Sequence, residues 1–314
     1  MMQASVQSSA PGKAILFGEH AVVYGEPAIA VPVTQVEATA RVEPAAPNSG
    51  LTLIAADLGQ SFSLATASEE APLAVAARLT LNHLNASVPD ATLTVRSTIP
   101  IASGLGSGAA VSTALVRALA KFVGASLAPA EVSDLVYEVE KVHHGTPSGI
   151  DNTVIAYERP VYFVRTAPSG PELISVGAPF GLLIADTGLP SPTKLLVAQV
   201  RRGWQRERER YGAFFRRIGN VAREARHRIE AGEVDALGPL MNENQALLVS
   251  LGVSSSTLDG LVDAARQAGA MGAKLSGAGQ GGTMLALVEA GSIEEVDGAL
   301  RKAGAVCTIQ TTVG

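Results

Sequence analysis

Cysteine is almost missing from this chain, with Cys307 alone in 314 residues. One thiol cannot close an intramolecular disulfide, which excludes a cross-linked secreted scaffold and suits a reducing compartment. Aromatic residues supply only 4%, so the core must be built from aliphatic side chains. No run approaches the roughly 18 uninterrupted apolar residues of a membrane span. Met1 to Pro11 carries neither the basic n-region nor the apolar h-region of a secretory signal. Charge is sparse: 24 basic against 29 acidic residues leave a net −5, which argues against an electrostatic nucleic-acid binder. Internal repeats and low-complexity tracts are also missing. The expectation is a cytoplasmic protein with neither nucleic acid nor membrane as partner.

What is present is core material. Hydrophobic residues make up 47% of the chain, enough to exclude general disorder, and the length favours about two domains. The 32 glycines and 17 prolines exceed the usual roughly 12% and are spread throughout, as in ordered loops. Patterning predicts strands over residues 14–17, 28–42, 51–55, 61–64 and 91–97, and helices over 71–84, 109–123 and from Pro129 to Lys141. Strands follow over 161–164 and 181–184, then a helical block from Pro192. The tail alternates helix 258–268, strand 272–275, loop 276–282, strand 283–288, helix 294–303 and strand 306–311. A domain boundary near Gly177 divides the chain into residues 1–177 and 178–314. Between Arg201 and Arg228, arginines mix with Glu207, Glu209 and Glu224 around Trp204, Tyr211, Phe214, Phe215 and Ile218. That mixture reads as a solvated helix face over an aromatic packing stripe.

Four constellations carry chemistry. The first, Lys13 followed by Gly18-Glu19-His20-Ala21-Val22-Val23-Tyr24-Gly25, puts a lysine on an otherwise apolar strand, which is costly unless it meets an anion. The second, Pro100-Ile101-Ala102-Ser103-Gly104-Leu105-Gly106-Ser107-Gly108-Ala109-Ala110, leads into a helix. Backbone N–H groups at such a start form an anion site, although the Gly-Lys-Ser/Thr ending of a Walker A loop is absent. The third joins Glu140 to His143-His144-Gly145-Thr146-Pro147-Ser148-Gly149-Ile150-Asp151-Asn152. Adjacent histidines diverge on a helix, so zinc is disfavoured; Asp151 can accept a hydroxyl proton and Glu140 can hold Mg2+. The fourth, Lys274-Leu275-Ser276-Gly277-Ala278-Gly279-Gln280-Gly281-Gly282, reads either as a flexible hairpin or as a place of close backbone approach to a ligand.

In order and spacing the four together resemble the GHMP small-molecule kinases, and among their branches they are most similar to the mevalonate kinases. The likeness runs from about Ser9 to Gln310. It implies an α+β two-domain architecture, with an N-terminal domain like domain 2 of ribosomal protein S5 and a ferredoxin-like C-terminal domain. It further implies that Asp151 and Lys13 are catalytic, and that Glu19, His20 and Thr193 hold mevalonate. Pro100, Ser103, Gly104, Leu105, Gly106, Ser107, Gly108, Ala109 and Ala110 would bind ATP, and Glu140 and Ser107 would bind Mg2+. Where the family often carries a second loop serine, this chain has Gly108, which leaves Ser107 or water for that metal contact. The family also leaves a homodimer open.

The reaction so implied is phosphorylation of the C5 hydroxyl of (R)-mevalonate by ATP. Phosphomevalonate kinase would need extra basic residues for a substrate phosphate. Galactokinase would show a sugar-reading acidic motif where Ala21-Val22-Val23 stands, and homoserine kinase typically lacks the base that Asp151 supplies. A mevalonate kinase of different regiochemistry, and a non-catalytic nucleotide-binding module, are the remaining alternatives.

Overall fold

The computed structural model describes residues 4–144, 147–165 and 170–314, with the backbone alone at His143 and His144. Among these residues the strands are β1 (Val6–Phe17), β2 (Ala28–Pro44), β3 (Leu51–Ala55), β4 (Gln60–Ser63), β5 (Ala91–Ser97), β6 (Val161–Phe163), β7 (Glu172–Leu173), β8 (Phe180–Asp186), β9 (Gly272–Ser276), β10 (Thr283–Val288) and β11 (Cys307–Val313). The helices are α1 (Pro72–His83), α2 (Ser107–Phe122), α3 (Pro129–His144), α4 (Ile150–Tyr157), α5 (Thr193–Arg206), α6 (Arg208–Ala231), α7 (Leu237–Ser250), α8 (Ser256–Gln267) and α9 (Ile293–Lys302). No helix is long and apolar enough to cross a membrane, among the described residues. The chain folds into two compact units. One takes residues up to Gly12, Val36–Pro100 and Gly106–Glu158; the other takes Lys13–Gln35, Ile101–Leu105 and Arg159–Gly314.

In the first unit the later half of β2 pairs antiparallel with β5, from Ala38↔Ser97 to Pro44↔Ala91. β5 pairs parallel with β3, and β3 antiparallel with β4. Ala91, Leu93 and Val95 are buried while Thr92 and Thr94 are half-buried, the period-two alternation of a sheet with one face on the core. Helices α1, α3 and α4 pack around α2. The small side chains Ala109, Ala110, Ala114 and Ala118 of α2 are all buried, which lets its neighbours approach closely.

In the second unit a four-stranded antiparallel sheet has the order β11-β8-β10-β9. Every residue of β10 is buried, so both faces are covered and the strand reads as a continuous apolar run. Leu258, Leu261, Val262 and Ala265 of α8 and Val296 and Leu300 of α9 share a core with Leu183, Ala185, Met284 and Ala286 of the sheet. Phe215 and Ile218 of α6 join that core with Tyr24, Trp204, Tyr211 and Phe214 packed against it, so the aromatic stripe lies inside the unit. Arg226 pairs with Glu230 and Arg228 with Glu224 at i,i+4 on the solvent side.

Helix α7 was not foreseen from the sequence, and it guards the open edge of the sheet. β9 is an edge strand, whose unpaired N–H groups invite association unless covered. Asn242 Oδ1 accepts from the Ala273 N–H at 3.1 Å, and Gln245 Oε1 from the Leu275 N–H at 2.9 Å. Gly238 makes the close approach possible, since a Cβ there would lie 2.3 Å from the Met271 carbonyl oxygen.

Candidate active site

The expected residues divide between the two units, and each set has its own scaffold. In the first unit, α2 begins at Ser107, two residues earlier than the spacing predicted, after Gly106 in the left-handed region at φ 77°. No side chain caps this start, so the first-turn N–H groups and the helix dipole are available to an anion. Ala109 and Ala110 are buried while Ser107 is half-buried and Gly108 exposed, and the Ala110 N–H donates to the Gly106 carbonyl at 2.9 Å, so Ala110, expected to bind ATP, offers a ligand no backbone donor. Glu140, near the end of α3, is buried, and its Oε1 lies 3.5 Å from where Gly108 would carry a Cβ. A carboxylate thus stands against the first turn of the glycine-led helix.

Asp151 lies in the first turn of α4, a helix that the sequence patterning did not predict. Gly149 opens it at φ 91°. Asn152, buried, donates from Nδ2 to the Ser133 carbonyl at 3.1 Å and to its hydroxyl at 2.9 Å. Thr153 Oγ1 donates to the Gly149 carbonyl at 2.6 Å. These bonds fix α4 on α3 and so fix the carrier of Asp151 relative to the carrier of Glu140. Gly145 and Thr146, part of the same sequence run, lie outside the described residues.

In the second unit, Lys13 sits on β1 and is 3% exposed, and its N–H donates to the Leu105 carbonyl at 2.9 Å. The loop half 101–105 is thereby tied to β1. Ser103 and Leu105 are buried, while Ile101 is 75% exposed. The Ser191 N–H reaches the Ala102 carbonyl at 3.4 Å, and Ser191 Oγ donates to the Gly279 carbonyl at 2.8 Å. Thr193, exposed, begins α5 two residues on. Pro100, the last residue before this half, belongs to the first unit.

Glu19 and His20 occupy a tight turn in which Gly18 has φ 96° and His20 φ 60°. Gly18 admits no other residue, because a Cβ would fall 2.4 Å from Ala28 Cα. His20 Nε2 donates to the Ala278 carbonyl at 2.9 Å. Burial holds its imidazole below the ordinary value of 6.5, an effect that this hydrogen bond partly offsets. Glu19 is fully buried and forms an ion pair with Lys274, while Asn244 Nδ2 donates to its other oxygen at 3.1 Å. Asn244, on the unforeseen α7, left no signal in the sequence.

In the fourth constellation Gly279, Gly281 and Gly282 approach protein backbone, as the glycines of a flexible hairpin would not. A Cβ at Gly279 would lie 2.0 Å from the Val253 carbonyl oxygen, at Gly281 2.6 Å from that of Leu189, and at Gly282 2.7 Å from that of Ser103. The β9–β10 loop is therefore a packed element that also approaches the loop half 101–105 at Ser103.

Among the described residues, no group of three or more His, Cys, Asp or Glu side chains converges on a point. Mg2+ does not require one, because it is commonly held by one or two carboxylates plus substrate phosphates. The oxygen donors of Glu140 and Ser107 suit such a hard cation.

Comparison with known proteins gives one consistent result. The family model for the GHMP kinases N terminal domain matches residues 72–159, and that for GHMP kinases C terminal matches 225–306. The mevalonate kinase of Thermococcus sibiricus is 37% identical over 306 residues, covering 90% of this chain and 89% of the relative. Among solved structures, L. major mevalonate kinase in complex with R-mevalonate superposes with a TM-score of 0.84 at 27% identity, over 100% of this chain and 97% of the other. Methanococcus jannaschii mevalonate kinase gives 0.83 at 26%, over 98% of each chain.

Proposed function

This chain belongs to the mevalonate kinases of the GHMP kinase family, ATP-dependent phosphotransferases with an alcohol acceptor, and on that premise we propose a division of labour among its residues. The reaction moves the γ-phosphoryl group of ATP to the C5 hydroxyl of (R)-mevalonate, giving 5-phosphomevalonate and ADP. One observation carries the residue assignment: a buried carboxylate, Glu140, stands against the first turn of the glycine-led helix α2.

Phosphoryl transfer asks a protein mainly for positioning and charge neutralisation. The N–H groups of residues 107–109 cradle the phosphates, and Ser103, Gly104 and Leu105 belong to the loop that leads to them. Glu140 and Ser107 hold Mg2+, which when bound offsets phosphate charge. Asp151 accepts the proton of the C5 hydroxyl, or orients that hydroxyl for attack. Lys13 supplies positive charge that stabilises the developing alkoxide. Glu19, His20 and Thr193 orient mevalonate, with Glu19 acting from behind His20. We further propose a cytoplasmic setting, a homodimer, and a domain division near Gly177, which lies between the two family-matched segments.

The test is ADP release with Mg-ATP across (R)-mevalonate, 5-phosphomevalonate, galactose and homoserine, with identification of the product. Turnover on mevalonate alone, giving the 5-phosphate, is expected. Asp151→Asn and Lys13→Met should each cut kcat by at least about 10²-fold. A near-normal rate in either variant refutes its assignment. ATP binding without turnover on any alcohol would favour a non-catalytic nucleotide-binding module.

A further inference from the structure

Lys274 is the one lysine of the β9–β10 region that the mechanism leaves unused, and it is placed at great cost. It is 0% exposed on β9. Its Nζ donates to Glu19 Oε1 and, at 2.6 Å, to the Leu275 carbonyl. Burial pulls its ammonium below the usual lysine value, and Glu19 partly restores it. The opposite carboxylate is as deeply buried. Apolar side chains of similar volume often replace such a pair with no loss of stability, or with a gain. Stability is therefore a poor reason for this pair, and geometry is a better one.

The geometry concerns His20. Its backbone stands at φ 60° and ψ −44°, the centre of a tight turn closed by the Ala21 N–H on the Glu19 carbonyl at 2.6 Å, a conformation that non-glycine residues adopt at a cost. Three links zip residues 15–20 against 274–278: Ser276 Oγ with the Ile15 backbone at 3.0 Å on both sides, Lys274 with Glu19, and His20 Nε2 with the Ala278 carbonyl. Along residues 15–20 the ionic link lies between the other two, next to the strained residue. Asn244 adds a fourth contact. It is 0% exposed, its Nδ2 donates to Glu19 Oε2, and its Oδ1 has no partner among the described residues. An amide buried with half its capacity unused serves the carboxylate it touches.

We propose that Lys274 is a positioning residue: through the buried Glu19 carboxylate, held on its other side by Asn244, it fixes the strained turn that aims the His20 imidazole. A carbonyl acceptor on Nε2 keeps the ring proton there and leaves Nδ1 as the acceptor. His20 therefore receives a hydrogen bond from a hydroxyl of the alcohol substrate at a set position and in one tautomer. The inference rests on the mevalonate reading for its substrate, but its effect on the ring does not.

The experiment uses the full chain with Glu19→Gln and Lys274→Met combined, which removes both charges and keeps side-chain length. The expected result is a folded protein whose KM for mevalonate rises about tenfold or more, through misplacement of a binding group, while KM for ATP stays within about twofold. Imidazole 15N NMR, with the His20 signal assigned by its loss in His20→Gln, should show a single Nε2-protonated tautomer in the wild type and a mixture in the double variant. An unchanged KM for mevalonate with an unchanged tautomer overturns the proposal. So does an equal rise in both KM values, which marks a merely structural role. If the double variant does not fold, Asn244→Ala applies the same comparison with a smaller expected rise, and no rise in mevalonate KM refutes the proposal. A wild type inert on mevalonate refutes the proposed function, and the tautomer measurement alone then decides this inference.

Discussion

Substitution of Gly282 by alanine tests whether the β9–β10 loop is packed for the sake of the phosphate-loop half. Gly282 has φ +70°, and a Cβ there would lie 2.7 Å from the Ser103 carbonyl oxygen, 3.3 Å from the carbon of that carbonyl and 3.4 Å from Ser191 Cβ. Two costs follow. Holding alanine in the left-handed region costs about 1–2 kcal/mol. Forcing a methyl against backbone that cannot rotate away costs about 1–3 kcal/mol more. Their sum, about 2–5 kcal/mol, corresponds to a fall in Tm on the order of 10 °C for a unit of this size. Relief comes from shifting Ser103, so KM for ATP should rise as well. Gly260→Ala is the control. Gly260 lies exposed inside α8 with nothing within 4 Å of the new methyl, and alanine there should gain about 0.5–1 kcal/mol. Thermal melts of both variants and ATP saturation curves supply the readout. A Gly282→Ala protein within about 0.5 kcal/mol of wild type, or one as destabilised as expected but with an unaltered KM for ATP, refutes the coupling between this loop and Ser103.

Two further outcomes are expected. At Gly108 the new methyl meets Glu140 Oε1 at an ordinary 3.5 Å, so Gly108→Ala should raise Tm slightly, by about 0.5–1 kcal/mol of helix preference. Gly108→Ser should in addition lower the half-saturating Mg2+ concentration at least about threefold by offering a hydroxyl beside Glu140; an identical metal response in the two variants rules out Mg2+ at this position. For His20, burial sets the folded pKa below 6.5, so between that lowered value and 6.5 the unfolded chain holds more protons. The contribution to stability is complete above pH 6.5 and is lost as pH falls through the window beneath it. Tm of the wild type should therefore drop more steeply below pH 6.5 than that of His20→Gln, and parallel slopes would count against a buried neutral imidazole.

Elements whose faces separate cleanly into apolar and polar were legible in the sequence. β5 was expected at residues 91–97 and occurs at Ala91–Ser97, because Ala91, Leu93 and Val95 alternate with polar neighbours. α8 was likewise legible, and its Ser255 cap, accepting from the Leu258 N–H at 3.3 Å, marks its start. α7 escaped because its buried face includes Asn244 and Gln245. Their partners, Glu19 and the Leu275 N–H, are far away in sequence, so the apolar stripe looks broken. α4 escaped for a similar reason: Asn152 and Thr153 are buried, and their partners Ser133 and Gly149 satisfy them. A polar residue that is paired inside a fold is indistinguishable, in sequence, from one on the surface.

The same blindness explains the site. Glu19 drew attention as a carboxylate next to a histidine, and Lys274 as a lysine before a glycine loop, but 255 residues separate the two. No local pattern joins them, and their union changes what each can do. A carboxylate that neutralises a buried ammonium already has its charge matched, which is why we place its effect on the substrate through His20. The glycines of the β9–β10 loop follow the same logic from the backbone side. Gly279, Gly281 and Gly282 are required by carbonyls of Val253, Leu189 and Ser103. Gln280, lying among them, keeps a left-handed φ of 54° because its N–H is held by the Val253 carbonyl at 2.9 Å. A flexible loop would relax such a residue, whereas a packed one can impose the strain. Rigidity of this kind is what phosphoryl transfer needs, because its catalysis is mainly positioning.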